Sequence, residues 1–122
     1  MKNKFSENIA PFVKTELEHA VHARLIGKPE IEFQHLENAH VLGQESTYWH
    51  VKVHCLMLLW ALRNLKTKEI LGQLFRIVGA ATKTVFGLVP AGNTGGVNVS
   101  PFKRMAIKPE LKAIIDNAKS AD

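Results

Sequence analysis

The stretch His35–Leu62, HLENAHVLGQESTYWHVKVHCLMLLWAL, constrains the fold more than any other part of the chain. It holds four of the six histidines, the only cysteine and both tryptophans. From Val51 to Leu62 it is apolar nearly all round at helical spacing. The run is too long and too rich in Leu and Met for a strand, and a helix of that kind is normally central. Gly43 reads as the turn between two antiparallel helices, with Ser46 or Thr47 capping the second of them.

Helical punctuation continues on both sides. Pro11 suits the first turn of a helix, Gly27 a stop, Pro29 a second start and Pro109 a last one. The spacing predicts helices over about 11–26, 29–42, 47–65, 67–87 and 109–118. Val13, Leu17, Ala20 and Arg24 fall at helical spacing on the first stripe, widened by Phe12, Val21 and Leu25. Phe33, Leu36 and Ala39 fall on the second. Ile70, Leu71, Leu74, Ile77, Val78, Ala81 and Val85 share one face of the fourth, and Leu111, Ile114 and Ile115 one face of the fifth. Residues 88–108, LVPAGNTGGVNVSPFKRMAIK, have no helical period but carry Val97, Val99, Phe102, Met105 and Ile107. An ordered extended loop lying across the helices is expected, since structureless segments of that length are uncommon in compact domains. The fold class is therefore all-α: one domain over 1–122, built of four helices, a short C-terminal helix and a long Gly/Pro/Asn loop.

Composition narrows the function classes. At 122 residues, with 46% hydrophobic and 22% charged residues, the chain is an ordinary single globular domain. One cysteine excludes an internal disulfide and points to a reducing compartment. Met1–Lys14 lacks the apolar core of a signal peptide, and no apolar run reaches membrane-spanning length. A cytoplasmic protein is expected. The net charge is +5, concentrated after residue 62. Its Lys and Arg are spaced singly without interleaved aromatics, which disfavours nucleic acid as the partner.

The first two helices resemble one tetratricopeptide unit, through Ala20, the turn at Gly27, Leu36 and Ala39. Glu32 departs from that pattern, which wants a small residue there, and no second copy follows. HLENAHVLGQ, HVKVHCLMLLWAL, LGQLFRIVGA and VPAGNTGGVNVSPFKRMAI together resemble a small bacterial family, the domain of unknown function numbered thirty-seven-oh-three. Gly92–Pro101 is the most specific part of that likeness. The resemblance implies a small helical bacterial protein and carries no activity.

Three candidate sites stand out. His50, His54 and Met57, at i, i+4 and i+7, share one stripe of the third helix, and His40 lies one turn before the Gly43 corner. Imidazole with thioether suits zinc, copper or iron. The plainer reading is a set of histidines that hydrogen-bond between helices with no cofactor at all. Glu16-x-x-His19, Glu32-x-x-His35 and Glu37-x-x-His40 repeat the spacing of di-iron bundles, but the remaining helices offer no inward carboxylate except Glu69. Cys55, mid-helix in the most apolar stretch, reads as an inert buried thiol rather than a nucleophile. Gly92, Asn93, Thr94, Gly95 and Gly96, beside Arg104, form either an anion-binding nest or ordinary turns. Asn98-x-Ser100 is a glycosylation sequon that a cytoplasmic protein would not use. Trp49 and Trp60 read as core residues, with Tyr48 and Trp49, near the corner, as the alternative candidates for a partner surface. The leading expectation is a non-enzymatic interaction module for a protein or peptide partner, or for a second copy of itself. Metal binding and phosphate binding are the alternatives.

Overall fold

The computed structural model describes residues 4–85, 92–97 and 103–121. Five helices follow one another: α1 (Lys4–Leu25), α2 (Pro29–Gly43), α3 (Thr47–Arg63), α4 (Thr67–Val85) and α5 (Pro109–Ser120). α1 packs along α2 and α3 along α4, while α5 closes the end of the first pair. Among the described residues everything outside the helices is turn or loop. No described helix is long and apolar enough to cross a membrane. Ala91, Asn98, Val99, Ser100, Pro101, Phe102 and the side chain of Val85 lie outside the described residues.

The first helix starts earlier than its sequence predicts, and Pro11 sits inside it. An interior proline forfeits one backbone hydrogen bond and costs about 3 kcal/mol. Tertiary anchoring of the first turn offsets this. Ile9 and Ser6 are buried, Ser6 Oγ bonds to Ser46 Oγ, and the Trp49 indole N–H donates to the Ser6 carbonyl at 3.0 Å. Asn8 Nδ2 donates to the Ala118 carbonyl of α5 at 3.0 Å.

Two glycine stops work differently. Gly27 takes φ +73°, the left-handed turn expected after α1. Gly43 remains helical and is needed for space: a Cβ there would stand 2.6 Å from Trp49 Cβ. α2 and α3 therefore meet at a tight corner. Ser46 caps α3, its side chain accepting from Trp49 N at 3.3 Å.

The core is Ile9, Val13, Leu36, Leu42, Trp49, Val53, Met57 and Trp60, closed below by Leu111 and Ile115. Two expected stripes are corrected. Phe12, Val21 and Leu25 are exposed, because small Ala20 and Ala23 make the close α1 contact. On α4, Leu71, Leu74 and Val78 face outward with Phe75, while Gln73 and Ala80 face in. Glu32, where the tetratricopeptide pattern wants a small residue, is buried and ion-paired to Arg63 of α3.

Candidate metal centre

The α2–α3 corner determines which side chains meet. His40 occupies the last turn of α2, and His50 and His54 lie one turn apart near the start of α3. His40 Nε2 is 3.1 Å from His50 Nε2 and 3.1 Å from His54 Nε2. One ligand atom from each ring lies within 4.8 Å of the other two. All three are buried, at 3%, 6% and 3% exposure.

The outer ring nitrogens define the tautomers. His40 Nδ1 is 2.6 Å from the Asn93 carbonyl oxygen, which can only accept, so Nδ1 carries the proton. His54 Nδ1 is 2.6 Å from Gln73 Oε1. The orientation of that amide follows from its other end: Gln73 Nε2 donates to the Gly95 carbonyl at 2.8 Å and to Glu69 Oε2 at 2.6 Å. His54 Nδ1 therefore also carries its proton. In the neutral rings, His40 Nε2 and His54 Nε2 then face each other at 3.1 Å as two lone pairs. Such a contact is repulsive unless a cation lies between them. A proton is poorly suited. Burial holds His40 well below the ordinary histidine range, and His54, His50 and Arg76 add to the effect against the opposing Asn93 hydrogen bond.

The glycine loop is the roof of this cluster. Gly95 sits directly on His40, where a Cβ would lie 2.6 Å from the ring Cδ2. Its positive φ of 88° and its N–H bond to Asn93 Oδ1 at 2.9 Å shape the turn. Asn93 Nδ2 ties the loop to the Lys103 carbonyl at 2.8 Å, and Val97 packs on Gly72. The groups the loop turns inward, the carbonyls of Asn93 and Gly95, are acceptors. They suit imidazole and amide N–H groups rather than an anion, and Arg104 is exposed. Thr94 bonds instead to Glu37, whose carboxyl is raised above its usual range by burial, with Glu69 adding to the rise and Lys108 and the Thr94 bond opposing it.

The other expected residues make different contacts. Met57 is fully buried, and its sulfur accepts from Gln73 Nε2 at 3.5 Å. Cys55 is a half-buried free thiol. His35 bonds to Glu16 at 2.8 Å on the α1–α2 side and stacks at 5.1 Å on His19. Trp49 is corrected from partner surface to core: it is 2% exposed and held by its indole bond to Ser6, while Tyr48 is half-buried. Gln73 is absent from the residues the sequence singles out. Its only signal is one amide on an α4 face otherwise lined by Ile70, Ile77 and Ala80.

Fold and site together define a small all-helical protein with a buried three-histidine cluster roofed by a glycine loop. The chain belongs to the family described as protein of unknown function, DUF3703, which it matches over residues 7–115. No curated protein and no solved structure matches it.

Proposed function

We propose that this protein binds a first-row transition metal through Nε2 of His40, His50 and His54. The observation that carries the reading is the pair of facing lone pairs on His40 and His54. Metal-binding histidines usually donate their second ring N–H to a carbonyl or carboxylate, as His40 and His54 donate to Asn93 and Gln73. A tetrahedral ion with metal–nitrogen bonds of about 2.0 Å needs ligand nitrogens roughly 3.3 Å apart, close to the 3.1 Å from His40 Nε2 to each of the other two. Met57, whose sulfur accepts from Gln73 Nε2 at 3.5 Å, belongs to the surround of the cluster. The test is elemental analysis of tag-free protein purified without chelator, followed by titration of the apo-protein with zinc, copper and iron. One equivalent bound by the native chain and lost in both His50→Ala and His54→Ala supports the reading. A native chain that holds none of these metals, as purified or after titration, sinks it.

A second reading, of an interaction module, is favoured by α4. Leu71, Leu74, Phe75 and Val78 are 50–69% exposed and lie at i, i+3, i+4 and i+7, the stripe that normally packs on another helix. A partner helix or a second copy fits such a stripe. Sedimentation of the native chain beside Phe75→Glu tests self-association.

A further inference from the structure

We infer that the ion bound by His40, His50 and His54 is monovalent copper rather than divalent zinc. This inference rests on the metal-binding reading above. Charge decides it, because the spacing of the three nitrogens admits either ion.

The donor group contains three neutral imidazoles and, among the described residues, no carboxylate or thiolate. Around two of the three rings the supporting groups are neutral as well: the outer N–H groups of His40 and His54 go to a backbone carbonyl and a side-chain amide. The carboxylate–histidine pairing that raises ligand basicity in many zinc sites is missing from these two. Arg76 lies near enough for its positive charge to act on His40. Glu69 offsets that charge, so the two leave little net charge beside the rings, and its oxygens are held off the three nitrogens by Gln73 Nε2 and by Val97 N at 3.4 Å. An added ion therefore keeps nearly its full charge in a site that is at least nine-tenths buried. The cost of burying an ion grows with the square of its charge, so a divalent ion pays about four times what a monovalent one does. Copper(I) also accepts low coordination and soft neighbours. The Met57 thioether lies one residue removed from the three nitrogens, against the same Gln73 amide that holds His54.

The test is a pair of anaerobic competition titrations on full-length apo-protein, cuprous ion against a cuprous chelator and zinc ion against a zinc chelator. One cuprous ion per chain is expected, with zinc at least about a hundredfold weaker. X-ray absorption at the copper edge should show a low-coordinate site made of nitrogen ligands. Arg76→Met, checked for folding by circular dichroism, separates charge from shape. Coulomb energy is linear in ion charge, so a gain of about threefold for cuprous ion should accompany about tenfold for zinc. Zinc binding as tightly as cuprous ion, or equal gains for the two ions in Arg76→Met, overturns the cuprous assignment and leaves the histidine site standing. Failure of the native chain to bind either ion overturns the site itself.

Discussion

Gly95 and Gly27 make a matched pair for testing whether the glycine loop is seated on the histidines. Both adopt positive φ, +88° and +73°. A methyl group at Gly27 would meet nothing within 4 Å, whereas at Gly95 it would meet His40 Cδ2, Cγ and Nε2 at 2.6, 2.8 and 2.9 Å. The left-handed backbone costs an L-residue about 1–2 kcal/mol, and that is all Gly27→Ala should lose. Gly95→Ala adds overpacking of about 1–3 kcal/mol against a buried ring, for a total of about 2–5 kcal/mol. Urea denaturation followed by tryptophan fluorescence and far-ultraviolet circular dichroism reads both. In thermal scans the extra loss corresponds to roughly 4 °C per kcal/mol. Because the displaced atom is the proposed ligand or its ring neighbour, Gly95→Ala should also weaken metal binding by about tenfold to a hundredfold, with Gly27→Ala unchanged. If Gly95→Ala costs no more than Gly27→Ala and binds metal normally, the loop does not rest on His40 and the account of the roof is wrong.

Other perturbations follow from the same contacts. His40 is held neutral, below the pKa of about 6.5 that it has in the unfolded chain. Below that pH the unfolded chain binds a proton that the folded one refuses, so apo-protein stability should fall as pH drops, by about 1.4 kcal/mol per unit from this group. Equal slopes for the native chain and His40→Asn between pH 6.5 and 5 would count against it. His50, His54 and Arg76 face the same ring and set the size of the effect. Arg63→Met leaves the Glu32 carboxylate buried without its guanidinium; with Arg63 about a third exposed, a loss of about 1–3 kcal/mol is expected in denaturant melts, largely recovered in the Glu32→Gln, Arg63→Met double variant. Phe75→Glu, on the exposed stripe of α4, should change stability by less than about 0.5 kcal/mol. It should reduce binding of a hydrophobic dye, and unchanged dye binding would show that the stripe is not the exposed apolar surface.

Helix boundaries were legible because their signals are local. Pro29, Ser46 and Pro109 open helices, and Gly27 ends one, by backbone chemistry that needs no tertiary partner. Pro11 misled for the converse reason: only the bonds from Trp49 and Ser46 to Ser6 reveal why a helix runs on through it. The histidines were legible as a spacing, His50 to His54 on one face and His40 a turn before the corner. The glycine loop was legible as an oddity. That the two are one structure was not, because the bond joining them spans 53 residues of sequence. α4 shows the limit most clearly. Hydrophobic periodicity assigns its Leu71–Val78 stripe to the core, since burying leucine and phenylalanine is favourable by roughly 1.5–3 kcal/mol each. The fold instead buries Gln73, whose amide satisfies His54, Glu69 and Gly95 at once. Turning that residue inward rotates the apolar stripe out to solvent. The polar shell of the histidine cluster and the exposed face of α4 are thus two consequences of a single helix orientation, and apolar pattern alone cannot find either.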